Sequence, residues 1–130
     1  MERLTLALQR AEHALSSLQS VMQIRDPSEI ERDAAIQRFE FTFEAMWKAA
    51  RHYLREIEGI DVGSPKGVIR ACREGTLFNE EETEHALEMA DDRNLTSHTY
   101  DRALAAEIFE RLSGHTTLMS TWLERMRQKT

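Results

Sequence analysis

The stretch from Ser28 to Gly59, SEIERDAAIQRFEFTFEAMWKAARHYLREIEG, decides the fold class. Ile36, Phe39, Phe43, Met46, Trp47, Ala50, Tyr53, Leu54 and Ile57 recur with the spacing of a wide helical stripe and not the alternation of a strand. A helix that starts after Ser28, stops at Gly59 and carries so aromatic a face has to bury that face against other helices. Toward the N-terminus, Leu4, Leu8, Ala11, Leu15, Leu18 and Met22 give a first helix over Glu2 to Gln23, ended by Asp26-Pro27. Toward the C-terminus, Gly59 to Gly63 reads as a loop, and Ser64-Pro65 supplies an N-cap and a first helical residue for a short third helix ending at Gly75. Asn79 and Glu82 form a capping-box pattern that opens a fourth helix through Leu87 toward Asp91. Asp101 stands where it can cap a last helix with Leu104, Ile108, Leu112, His115, Met119, Trp122 and Met126 on one face.

These segments predict an all-α fold, an antiparallel up-and-down bundle of four to five helices, filling residues 1–130 as a single domain. The wide stripes on the second and fifth helices fit a fully packed monomer or a dimer with surplus apolar area. Composition agrees: 41% hydrophobic and 31% charged residues with two prolines describe a globular, helix-rich chain. The single Cys72 cannot form an internal disulfide, and no apolar run approaches 20 residues, so a reducing cytoplasm is the expected setting. A net charge of −6 argues against coating nucleic acid non-specifically. Neither DNA nor a membrane is expected as a partner, while a local phosphate site stays compatible with this charge.

The functional candidates concentrate in Arg93-Asn94-Leu95-Thr96-Ser97-His98-Thr99-Tyr100. Arginine offers a fork of donors that fits phosphate oxygens, and histidine moves protons near neutral pH. Arg93 and His98 stand five apart, about 140° around an ideal helix, so they converge only if the helix breaks or if copies from two chains meet across a two-fold axis. Asn94 and His98 share a face if the helix persists. On spacing alone the segment reads first as a cap and link between helices, with Asn94, Thr96 and Ser97 bonding backbone groups and His98 satisfied locally. Its functional reading is metal-independent RNA cleavage, with His98 taking the ribose 2′-hydroxyl proton or protonating the leaving oxygen, and Arg93 stabilising the phosphate.

Elsewhere, eight acids and no Lys or Arg lie between Glu74 and Asp92, most simply a solvated face. Asp91-Asp92 offers a magnesium ligand pair or, more often at a helix end, two solvated acids. His115 reads as a core histidine. No zinc spacing, Gly-rich phosphate loop or nucleophile motif is present, so neither a metal nor another cofactor is expected. Lys66, Arg70 and Arg73 form a small basic ridge on the third helix.

The polar motif, the upstream block Arg32 to Glu44 followed by Met46-Trp47-Lys48, and the later Ser64-Pro65-Lys66 together resemble the HEPN superfamily. The chain is most similar to the HepT-like branch of nucleotidyltransferase substrate-binding proteins. That resemblance implies a bundle that forms a homodimer, with motifs from two protomers at a shared cleft. It implies that Arg93 and His98 form a metal-independent endoribonuclease site acting on an RNA substrate, supported by Asn94. It also implies that Tyr100 is the acceptor of AMP from a cognate minimal nucleotidyltransferase antitoxin. The alternative implied role is a non-catalytic subunit that completes the substrate site of such a transferase. A degenerate adaptor is disfavoured by the complete motif. One departure is His85, which stands where relatives often carry a tryptophan.

Overall fold

In the computed structural model, which describes residues 2–75 and 77–130, the described residues form five α-helices and no strand. They are α1 (Glu2–Met22), α2 (Glu29–Tyr53), α3 (Pro65–Glu74), α4 (Glu80–Leu95) and α5 (Arg102–Gln128). The three long helices α1, α2 and α5 pack on one another, and the shorter α3 and α4 pair with each other against α2 and α5.

Helix α1 buries Leu4, Leu8, Ala11, Leu15, Leu18 and Val21, a single narrow stripe that closes on Val21 rather than Met22. Helix α2 is buried over a wider arc because it has neighbours on several sides. Phe39, Phe43, Met46, Ala49, Ala50 and Tyr53 are all nearly inaccessible. Each fully buried phenylalanine contributes about 1.5–3 kcal/mol. Thr42 lies on this inward face without cost, its hydroxyl 3.0 Å from the Ala14 carbonyl and 2.7 Å from that of Arg38. Arg38 in turn donates to the Ser17 carbonyl at 2.8 Å, which fixes α2 against α1.

The helix ends follow the local chemistry. Ser28 with Glu31 and Asn79 with Glu82 both form complete capping boxes, Ser64 accepts from the Gly67 amide, and Asp101 accepts from the Leu104 amide. Each such cap contributes about 1 kcal/mol. The second helix does not stay α-helical to Gly59: after Tyr53 it widens into a π-turn over Leu54–Glu58, and Gly59 ends it in the left-handed region at φ 69°. Gly67 is required by the cap before it, since a Cβ there would lie 2.7 Å from the Ser64 hydroxyl oxygen. No helix of the described residues is long and apolar enough to cross a membrane.

Candidate functional site

The polar motif straddles the end of α4. The helix runs further than its polar sequence suggests, past Asp91 to Leu95, and then tightens into a 3-10 turn over Thr96–His98. Arg93 and Asn94 therefore sit on the last α-helical turn, while His98 and Tyr100 lie beyond it. The capping role expected of this stretch falls to Thr96, whose hydroxyl is 2.7 Å from the Arg93 carbonyl.

Carboxylates one turn apart on α2 hold this motif in place. Glu44 Oε1 accepts from Arg93 Nε and pairs with its terminal nitrogen, both at 3.1 Å. Glu40 Oε2 accepts from the Thr96 hydroxyl at 2.6 Å. One turn past the motif, Asp33 accepts from both terminal nitrogens of Arg102, at 3.4 and 3.0 Å, with Glu29 at 3.2 Å. Glu44 occupies one edge of the Arg93 fork only. A guanidinium has five N–H donors, so donors on its outer edge remain for a phosphate.

His98 and Tyr100 are exposed, Tyr100 to 78%. The tyrosine hydroxyl lies 3.1 Å from His98 Nδ1, with the rings edge to face at 5.8 Å. With Nδ1 bare, the imidazole accepts the phenolic O–H. Within one chain, then, Arg93 is engaged by Glu44 and His98 by Tyr100, and neither engages the other.

The residue just before Arg93 has a different fate. Asp92 is not solvated: it is buried between α4 and α5, where Arg111 donates to both carboxylate oxygens at 2.8 Å and His115 Nε2 lies 2.7 Å from Oδ2. His85 Nε2 stands 3.0 Å from His115 Nδ1, and Phe39 stacks on the His115 ring at 5.4 Å. The acidic run is thus only in part a solvated face, because Glu82 also turns inward to Arg125 at 2.7 Å. Burial pushes the Asp92 carboxyl up, but the bonds from Arg111 and His115 outweigh it and hold it below the usual carboxylate range. Burial likewise dominates at His115 and keeps that imidazole below its ordinary value despite the Asp92 contact. A neutral His115 gives its Nε2–H to Asp92 and keeps Nδ1 as acceptor for His85. Among the described residues no group of three or more His, Cys, Asp or Glu is placed to hold a metal ion.

A cleft of about 360 Å³ opens beside Arg93, lined by Phe43 and Glu44 of α2, Ser64, Pro65 and Lys66 at the start of α3, and Ala90, Arg93 and Asn94 of α4. Lys66 reaches across to Asp91 at 2.6 Å. Sequence reasoning missed Glu40, Glu44 and the Asp92 network. The available signals were the i, i+4 carboxylates that interrupt the aromatic stripe of α2, and the i, i+4 pair Arg111 and His115 on α5.

Residues 6–128 match the family described as nucleotidyltransferase substrate binding protein like. A protein of known structure from Thermus thermophilus is 56% identical over 90% of this chain and 98% of its own, with a TM-score of 0.87. HI0074 from Haemophilus influenzae, whose structure is described as the fold of a substrate binding domain of a nucleotidyltransferase, is 26% identical over 93% of this chain and 99% of its own, at a TM-score of 0.78. A tri-AMPylated HEPN toxin from Shewanella oneidensis, solved in complex with its MNT antitoxin, shares 13% identity over 96% of each chain at a TM-score of 0.77. That last likeness is one of fold. No curated protein matches the chain.

Proposed function

The chain belongs to the nucleotidyltransferase substrate binding protein-like family, and from that premise we propose that it is a HepT-like HEPN toxin, a metal-independent endoribonuclease neutralised by a minimal nucleotidyltransferase. The observation that carries the reading is the exposed His98–Tyr100 hydrogen bond on the same short segment as an Arg93 whose outer edge is open. In the proposed reaction, one His98 takes the proton from a ribose 2′-hydroxyl as that oxygen attacks the adjacent phosphorus. The P–O5′ bond breaks, and the leaving oxygen takes a proton from the His98 of a second protomer. The products are a 2′,3′-cyclic phosphate and a 5′-hydroxyl end. Arg93 stabilises charge on the non-bridging oxygens, and Asn94 supports it from the same turn. A homodimer supplies what one chain lacks, since Arg93 and His98 have separate partners within the chain.

Neutralisation uses the same geometry. A tyrosine hydroxyl 3.1 Å from an imidazole nitrogen can lose its proton to that nitrogen as it attacks the α-phosphorus of ATP, the bond from that phosphorus to the β-phosphate oxygen breaking and pyrophosphate leaving. The resulting phosphodiester would place negative charge beside His98, where the RNA phosphate has to sit. Complex formation with the transferase could act with or without this transfer. Both steps belong in the cytoplasm, where RNA and nucleotide meet.

A second reading, a non-catalytic subunit that completes the substrate site of a nucleotidyltransferase, is favoured by the likeness to HI0074 and by the pairing of Arg93 with Glu44. Expression of the chain alone in a bacterial host beside a His98→Ala copy separates the two. Growth arrest with new RNA ends that vanish in the variant is the expected result. Harmless accumulation of soluble wild-type protein would move the assignment to the binding subunit.

A further inference from the structure

The cleft beside Arg93 contains the Ser64-Pro65-Lys66 motif, for which the cleavage chemistry has no use. We infer that this cleft is a base-binding subsite for the single-stranded nucleotide next to the scissile phosphate, selecting a base with an amino group on its pairing edge, guanine best and uracil least. Its place beside the scissile phosphate rests on the ribonuclease reading, because Arg93 belongs to both the motif and the cleft wall.

The chemistry of the lining supports a flat, polar-edged ligand. Phe43, Pro65 and Ala90 are its apolar lining, and Glu44, Ser64, Lys66, Arg93 and Asn94 are its polar lining. Apolar walls with a few convergent polar groups are the usual build of a small-ligand site, and about 360 Å³ lies within its usual size range. RNA sequence is read mostly on unstacked single-stranded bases whose pairing edges are free. Glu44 is the selective element. Its Oε1 is taken by Arg93, and its Oε2 accepts one bond from Trp47 Nε1 at 3.1 Å, with the Lys48 ammonium paired to it at 4.0 Å, beyond hydrogen-bond length. A carboxylate oxygen has two lone pairs, so Oε2 can accept one more donor, and it can only accept.

Guanine presents two N–H donors on its pairing edge, either of which can fill that one position, and adenine and cytosine each present an exocyclic amine. Uracil offers one N–H flanked by two carbonyl oxygens, whose lone pairs would face the carboxylate. Asn94 supplies an amide able both to give and to accept. At the cleft, Lys66 is held by Asp91 in a pair whose side chains are 41% and 61% exposed. Exchanging such an exposed partner for a phosphate costs little.

Trp47 makes this testable without any cleavage. The protein has two tryptophans, Trp47 bonded to Glu44 and Trp122 fully buried against Phe78. Their indole N–H resonances in a 15N-labelled sample therefore report separately. Titration with GMP is expected to move the Trp47 signal saturably and leave that of Trp122 in place, with UMP weaker by about tenfold. Lys66→Ala, a surface change that leaves the fold intact, is expected to weaken GMP several-fold and guanosine hardly at all. A Trp47 signal that GMP does not move, or that GMP and UMP move alike, overturns the subsite. RNA cleavage with an unmoved Trp47 would overturn the subsite alone. A moved Trp47 in a protein that cuts no RNA would overturn the ribonuclease alone.

Discussion

Asp92 and Arg93 are neighbours on one turn of α4, yet they belong to opposite kinds of polar region. Asp92 points into the protein and finds Arg111 and His115 waiting, with His85 behind. Arg93 points to a cleft, is tied on one edge by Glu44, and leads into an exposed His98 and Tyr100. The inward network is closed: its carboxylate is neutralised and its buried imidazole is bonded on both nitrogens. Such a set fixes how α4 sits on α5, and its buried members, Asp92 and His115, are already bonded within the chain. The outward set keeps donors and a titratable ring facing water, which costs nothing until a substrate or partner arrives. Polar groups satisfied inside the chain therefore serve the fold, and those left open are the ones to assign to function.

Breaking each side should give different kinds of loss. Arg93→Ala is expected to lower RNA cleavage by about 10²–10³-fold, while the urea midpoint stays nearly unchanged because Glu44 keeps access to water. A large shift in the midpoint would place Arg93 with the fold. Asp92→Ala should do the converse, costing about 1–3 kcal/mol in urea unfolding because it strands the buried His115 N–H, while Arg111 can turn to water. A loss under about 1 kcal/mol would mean that the network is no structural clamp.

Acid should also find the inward set. Folded His115 binds a proton less readily than in the unfolded chain, so stability falls as pH drops below about 6.5, the unfolded value. Folded Asp92 gives up its proton more readily than in the unfolded chain. Its contribution is complete above about pH 4 and is lost as pH falls further. Urea midpoints measured from pH 7 to pH 3 check both steps. His115→Phe should flatten the first, and a wild-type midpoint level from pH 7 to pH 5 would contradict it. The smallest expected effect is that of Tyr100→Phe, within about 0.5 kcal/mol on stability. The same change should abolish AMP acceptance from the cognate transferase, read by mass spectrometry, and an undiminished adduct would remove Tyr100 as the acceptor.

The helices and their caps were legible in the sequence because both depend on neighbours within four residues. Ser28 with Glu31 and Asn79 with Glu82 carry their own instructions, and Phe39, Phe43 and Met46 carry the period of α2. The end of α4 was less legible, since Asn94, Thr96 and Ser97 look like breakers but Glu40 holds Thr96 from 56 residues away in sequence. Asp92 was hidden for the same reason: beside Asp91 it looks solvated, and only the register of α5 supplies Arg111 and His115. The residue types of the candidate site, Arg93, Asn94, His98 and Tyr100, were visible as a motif. Glu44 was visible too, but its role required a tertiary contact. The departure at His85 now has a physical account, as the outer member of the Asp92 network.

Cys72 carries a consequence of its own. It is the sole thiol, fully buried in α3, and burial pushes it up to about 12, so it stays protonated and sheltered in the folded protein. A thiol-reactive dye should therefore react only when α3 swings out of the core, and the labelling rate becomes a clock for native-state opening. Because the Ser64-Pro65-Lys66 wall of the cleft begins that same helix, a nucleotide that occupies the cleft should slow the clock.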